Sequence, residues 1–102
     1  MPGSAFQAIA DPTRRQILDL LRERGPLRAG QLAARFPRIS RPGVSKHLRV
    51  LRGARLLRQE RHGRELWYQL DPLPLSKIEA WVGTYEVFWQ DRLQALKRAA
   101  ED

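Results

Sequence analysis

The sequence predicts a mainly α-helical domain with a small β-hairpin, in the order α-α-α-α-β-β-α. Three observations predict it. Apolar residues recur at helical spacing in successive stretches before residue 54, two β-rich runs flank a glycine turn between Leu56 and Leu70, and one apolar stripe then continues from Leu75 to Leu96. At 102 residues the chain is the size of one domain. With 42% hydrophobic residues it has enough apolar material for a modest core. Residues 1–102 are therefore read as a single unit.

Phe6 and Ile9 suggest one or two turns of a first helix, too short to persist unless docked. Asp11-Pro12 reads as an N-cap followed by proline at the first helical position, where its missing N–H costs nothing. The second helix runs to about Arg24 with Ile17, Leu18 and Leu21 on its apolar face, and Gly25-Pro26 ends it. Leu27 to Phe36 reads as a third helix, with Leu32, Ala33 and Phe36 at helical spacing and Pro37 as its stop. Ser40 is the N-cap expected for a fourth, Pro42 fits its first turn, and Val44, Leu48 and Leu51 form its inward stripe until Gly53-Ala54. The strands are expected at Leu56–Glu60 and Glu65–Leu70, joined through Arg61-His62-Gly63-Arg64, with Asp71-Pro72 closing the hairpin. A last long helix opens at Pro74 or Ser76 and runs to about Ala100. Two helices joined by the short Pro37-Arg38-Ile39-Ser40 connection and followed by a hairpin make a winged helix-turn-helix.

Charge points to a polyanion. The net charge is +8, but between Arg24 and Arg64 12 Lys or Arg stand against the single acid Glu60, a local +11 that leaves −3 for the rest. A surface charged only for solubility intersperses its signs. The absence of cysteine excludes disulfides and thiolate metal sites, and nothing suggests an oxidising compartment. Met1 to Ala10 lack a signal-peptide pattern, and no run approaches a membrane span, so a cytoplasmic protein without membrane association is expected.

With Val44, Leu48 and Leu51 inward, the opposite side of the fourth helix carries Arg41, Pro42, Ser45, Lys46, Arg49 and Arg52. The major groove of B-DNA admits one α-helix and offers acceptors to arginine and lysine. Recognition helices read with their first turns, so Arg41, Ser45 and Lys46 are expected at base edges and Pro42 at a thymine methyl. Arg38, Ser40, Arg49 and Arg52, together with Arg61, His62 and Arg64 at the hairpin tip, are expected at phosphates, which position the protein without specifying sequence. The competing reading is an ordinary solvated helix face; the adjoining turn and hairpin weigh against it. His47 lies beside the inward stripe and is open to two roles, packed or hydrogen-bonded against the body, or in contact with a base. His62 is expected to be exposed in either case.

The last helix carries Leu75, Ile78, Val82, Tyr85, Trp89, Leu93 and Leu96, with Trp81 and Phe88 widening the stripe. Such a helix spans roughly 40 Å, whereas a folded chain of this size has a radius of gyration near 13 Å. It overhangs its own core and leaves an aromatic face that self-association would cover. Phe6, Ile9, Ile78, Trp81, Val82, Tyr85, Phe88, Trp89, Leu93 and Leu96 are therefore assigned to a homodimer interface, with residues 1–10 and 74–100 supplying its helices. The alternative is a last helix folded back onto its own domain. A two-fold dimer places two recognition helices on one face of the duplex.

Three segments, Ala10-Asp11-Pro12-Thr13-Arg14-Arg15-Gln16-Ile17-Leu18, Ser40-Arg41-Pro42-Gly43-Val44-Ser45-Lys46-His47-Leu48-Arg49-Val50-Leu51 and Leu66-Trp67-Tyr68-Gln69-Leu70, resemble the ArsR/SmtB family of winged-helix repressors over nearly the whole chain. Tyr85, Phe88-Trp89 and Arg92-Leu93 are similar to a subgroup of autorepressors that lack metal sites. The resemblance implies an inverted-repeat operator, dimerisation through the first and last helices, and autoregulation. Two departures are visible. Metal sensors of the family carry cysteines on the first helix of the motif, where this chain has Leu27-Arg28-Ala29-Gly30-Gln31-Leu32, and no histidine follows His62. The remaining candidates Glu79, Glu86 and Asp91 are carboxylates, poor zinc ligands alone, so no metal or cofactor is expected. The junction Phe36–Ser40 is also about one residue longer than in the family.

The leading reading is thus a double-stranded DNA-binding repressor with no legible inducer site. A second is a protein-interaction or RNA-binding module on the same scaffold, since fold does not determine function. An enzyme is disfavoured: the chain has no glycine-rich phosphate loop, and Ser45 and His47, two apart on a helix, face different directions.

Overall fold

A computed structural model of the chain describes the backbone of residues 3–101 and the side chains of residues 5–101. The elements are α1 (Gly3–Ile9), α2 (Pro12–Arg24), β1 (Leu27–Arg28), α3 (Ala29–Ala34), α4 (Arg41–Gly53), β2 (Leu57–His62), β3 (Glu65–Leu70), α5 (Leu75–Gly83) and α6 (Glu86–Glu101). The expected helical body, hairpin and C-terminal arm are all present. Among the described residues no helix is long and apolar enough to cross a membrane.

The caps expected from sequence form. Asp11 accepts a hydrogen bond from Arg14 N at 3.0 Å, Pro12 opens α2, and the Gly25 N–H closes it on Leu21 O at 2.9 Å. That backbone hydrogen bond from Arg14 holds the Asp11 carboxyl below its usual pKa range. The stripes face inward as expected: Ile17, Leu18, Leu21, Leu32, Val44, Leu48 and Leu51 join Leu56, Leu57 and Tyr68 in one core. Phe36 and Ala33 pack on its edge. α1 packs against both α2 and α4. The guanidiniums of Arg14 and Arg15 hold its C-terminal end, taking Ala8 O (2.7 Å), Gln7 O (3.0 Å), Ile9 O (2.8 Å) and Ala10 O (3.3 Å). A helix of this length leaves several carbonyls without intrahelical partners, and two arginines of the next helix satisfy them.

Three boundaries differ from expectation. The third helix begins at Ala29 rather than Leu27 and ends at Ala34. Leu27 and Arg28 are instead extended and pair antiparallel with Tyr68 and Trp67, so the hairpin becomes a three-stranded sheet in the order β1-β3-β2. Pairing with β3 takes up part of the backbone of this edge strand, while Gln31 Oε1 accepts from Arg28 N at 2.9 Å where the helix starts. The hairpin is longer than expected, because pairing continues from Leu57↔Leu70 to His62↔Glu65 and leaves Gly63-Arg64 as a two-residue loop. Gly63 has φ +65° at the first central position, where the turn matching strand twist requires a residue without Cβ.

The last helix is two helices. Gly83 weakens the helix interior, the Thr84 hydroxyl donates back to Trp81 O at 2.7 Å, and the backbone tightens through Thr84 N→Trp81 O and Tyr85 N→Val82 O. Hydroxyl back-bonding and glycine are both recognised causes of helix bends. The overhang survives the break. The chain measures 60 × 30 × 21 Å with a radius of gyration of 17.4 Å, and α6 is exposed along its length.

Candidate nucleic-acid interface

The reading helix is fixed at both ends. At its start Ser40 Oγ accepts from Gly43 N at 3.1 Å, the expected N-cap, and Ile39 N donates to Phe36 O at 3.0 Å to close the preceding turn. The turn lies so close to the first helical turn that a Cβ on Gly43 would stand 2.8 Å from Ile39 Cγ2 and 3.2 Å from Ser40 Oγ. At its end Arg55 N donates to Arg52 O (2.9 Å) and Leu56 N to Leu51 O (3.0 Å), with Arg55 at φ 63°. This is the Schellman arrangement with arginine where glycine is usual, and the buried Leu56 supplies its apolar contact. The helix therefore leads directly into the wing.

With Val44, Leu48 and Leu51 buried, Arg41, Pro42, Ser45, Lys46, Arg49 and Arg52 are all exposed. Arg38 and Ser40 are exposed beside the helix start, and Arg61, His62 and Arg64 at the far end of the hairpin. Among the described residues, Arg38, Arg41, Lys46, Arg49, Arg61 and Arg64 enter no ion pair or side-chain hydrogen bond. The fold thus leaves these six candidate cations uncommitted on exposed ground.

The other candidates are engaged. Ser40 is committed to its cap. Arg52 Nη1 donates to Gln59 Oε1, and Gln59 Nε2 donates to the hydroxyl of buried Tyr68 at 2.9 Å, so Arg52 braces the helix end against the sheet. Sequence reading missed Gln59. Its pairing opposite Tyr68 on the body-facing side of the hairpin is a matter of strand register, which alternation alone does not fix. His62 is exposed, as expected, with Nε2 3.6 Å from Glu60 Oε2 and its ring edge-on to Trp67 at 6.4 Å. Arg28 lies 5.5 Å over Trp67 and bonds Glu65 at 2.5 Å, so this cation is already matched within the sheet. His47 is half-buried, its Nδ1 4.0 Å from Asp11 Oδ2.

Where α1 meets α5, Phe6 stands edge-on to Trp81 at 5.7 Å, and Trp81 stands edge-on to Tyr85 at 5.3 Å. Ile9 and Ile78 are half-buried, Ile9 against the core. Phe6, Trp81, Val82, Tyr85, Phe88, Trp89, Leu93 and Leu96 are exposed, with Phe88 at 70%. Val87, at 68%, extends the apolar surface beyond the residues identified by periodicity. Among the described residues no three His, Cys, Asp or Glu converge as a metal group would need.

Comparison with known proteins places this geometry. Residues 9–60 match the model of a helix-turn-helix domain. The chain is 48% identical over 77 residues to the HTH-type transcriptional regulator Rv2034 of Mycobacterium tuberculosis, covering 76% of this chain and 70% of that one. It is 40% identical over 80 residues to the transcriptional repressor SdpR of Bacillus subtilis, covering 78% and 87%. In structure it is similar to an ArsR-like transcriptional regulator from Rhodococcus sp. RHA1, with a TM-score of 0.75 and 35% identity over 97% of this chain and 89% of that one. A domain match across the helices that carry the cationic face, and relatives aligned over most of the chain, identify it as a member of the ArsR family of winged helix-turn-helix transcriptional regulators.

Proposed function

We propose that the protein is a repressor that acts as a homodimer on an inverted-repeat operator, reading bases with Arg41, Pro42, Ser45 and Lys46 and gripping phosphates with Arg38, Arg49, Arg61 and Arg64. The observation that carries this reading is the exposed, uncommitted cationic side of α4 beside a basic hairpin tip. Relatives that are transcriptional regulators and repressors, not enzymes, support it. Ser40, Arg52 and His62 have secondary roles: Ser40 offers a hydroxyl beside the helix start, Arg52 stays tied to Gln59 and braces the sheet rather than holding a phosphate, and His62 approaches the backbone from the wing. A DNA-binding role fits a cytoplasmic location, and the exposed aromatic face of α1, α5 and α6 supports pairing of two copies, with residues 1–10 and 74–100 as the dimerisation helices. Of these, Met1 and Pro2 lie outside the described residues.

Selection from random duplex DNA tests the proposal. An enriched palindrome, bound by a species of twice the chain mass in sedimentation, is the expected result. Enrichment of no sequence, or a strictly monomeric protein, overturns it. Substituting Arg41 or Lys46 by alanine weakens operator binding by about 1 to 3 kcal/mol and relaxes base preference. Arg64→Ala weakens all duplexes alike.

A further inference from the structure

The two segments Asp11-Pro12-Thr13-Arg14-Arg15 and Ser45-Lys46-His47-Leu48 meet in space. His47 leaves α4 between the buried stripe and the exposed cationic side, and its Nδ1 lies 4.0 Å from Asp11 Oδ2. That nitrogen is closed off from solvent and has no hydrogen-bond partner, although the side chain as a whole is 21% exposed. Asp11 Oδ2 accepts from Arg14 N, and Arg14 in turn holds Ala8 O and Gln7 O at the end of α1. Phe6 on the same helix meets Trp81 of the arm. A continuous set of contacts thus runs from the apolar arm through α1 and the cap of α2, and stops about 1 Å short of a hydrogen bond to the reading helix.

A solvent-excluded ring nitrogen left unpaired is costly, and the carboxylate it faces can accept from it once that nitrogen carries the proton. A small approach of α4 towards the α2 cap makes the bond. Two half-sites on one duplex fix the separation and angle of the two reading helices, so sequence-specific binding rewards a helix locked in register. Non-specific binding, which depends on phosphate charge, does not.

We propose that His47 is a positioning residue for DNA reading: its Nδ1–H donates to Asp11 when the protein seats on its operator, locking α4 to the α1–α2 junction and so to the arm that pairs the two copies. The proposal rests on the reading of the protein as a dimeric operator-binding repressor and adds to it the part that sets the register of the reading helix. A double-mutant cycle reads this coupling directly.

The experiment uses the full chain and compares affinity for the selected operator with affinity for a scrambled duplex, in His47→Leu, His47→Asn, Asp11→Ser and the double variant Asp11→Ser/His47→Leu. Asn carries an N–H donor close to the Nδ1 position, and Ser keeps the α2 cap while removing the carboxylate. His47→Leu is expected to weaken operator binding by about fivefold or more with scrambled binding unchanged, and His47→Asn to restore most of it. Asp11→Ser loses about as much as His47→Leu, and the double variant loses no more than either alone.

Equal losses in His47→Leu and His47→Asn, wild-type affinity in Asp11→Ser, or losses that multiply in the double variant overturn the proposal. Should His47→Leu fold poorly, Asp11→Ser still decides the matter. A wild-type protein that selects no operator refutes the functional reading instead, which separates the two failures.

Discussion

The uncommitted cations allow the salt dependence of operator binding to be worked out. In each copy Arg38, Arg49, Arg61 and Arg64 stand near the expected phosphate path without an ion partner among the described residues, whereas Arg52 is tied to Gln59. A dimer then neutralises about eight phosphates, and with about −0.9 per phosphate the slope of log affinity against log salt is about −7. Counting Arg52 as well gives about −9. Between 50 and 200 mM salt a slope of −7 is a loss of roughly 10⁴ in affinity. Arg49→Ala removes two contacts per dimer and moves the slope to about −5.4, whereas Arg52→Ala leaves it near the wild-type value. Fluorescence anisotropy on a labelled operator across a salt series measures all three. If Arg52→Ala flattens the slope as much as Arg49→Ala does, the Arg52–Gln59 brace does not persist on DNA and the assignment of cations is wrong.

Gly43→Ala adds about 1 kcal/mol of helix propensity but places a Cβ 2.8 Å from Ile39 Cγ2. Overpacking of this kind costs about 1 to 3 kcal/mol, so urea denaturation is expected to report net destabilisation by roughly 1 kcal/mol; a stabilised variant contradicts the packing of the turn. Arg55→Gly relieves a non-glycine residue at φ 63° and is expected to stabilise by about 0.5 to 1 kcal/mol, raising Tm by several degrees at fixed protein concentration. Asp11 has a folded pKa below its ordinary value, so its stabilising contribution is complete above the unfolded pKa and is lost as pH falls through the folded one. Below about pH 4 the wild type therefore loses stability that Asp11→Ala lacks already at neutral pH, and stability curves of the two that stay parallel through the acid range disprove the cap's role.

Much of this was legible because caps and stripes are local. Asp11-Pro12 and Ser40 mark helix starts by the chemistry of the N–H groups they serve, and Val44, Leu48 and Leu51 orient α4 whatever else surrounds it. The exposed cationic side follows from that orientation. What escaped the reading depends on partners distant in sequence. Leu27-Arg28 has no strand signature of its own and becomes β1 only because β3 offers it a ladder. The brace from Arg52 through Gln59 to Tyr68 depends on a register that period-2 alternation leaves open. The break before Glu86 was hidden for another reason. The apolar intervals continue through Gly83-Thr84, so periodicity passed over a glycine whose low helix propensity was the available signal.

The same sequence has to reconcile two demands that oppose each other electrostatically. A chain of net charge +8 repels its own copy, yet the proposed repressor pairs two copies and needs all of that charge for DNA. The distribution resolves the conflict. Residues 24–64 hold a net +11, whereas the arm from Leu75 to Glu101 has Lys77, Arg92, Lys97 and Arg98 against Glu79, Glu86, Asp91 and Glu101 and so is neutral. The 60 Å length of the molecule far exceeds the Debye length of about 8 Å at physiological salt, so charges at its two ends are screened from one another. The surface that carries the exposed aromatics is thereby the one on which a second copy meets no net repulsion, and the repulsive surface is the one that a polyanion covers. The proposed pairing through the arm and the attraction to DNA through the middle thus draw their charge from separate stretches of one small fold, with the His47–Asp11 contact as the proposed link between them.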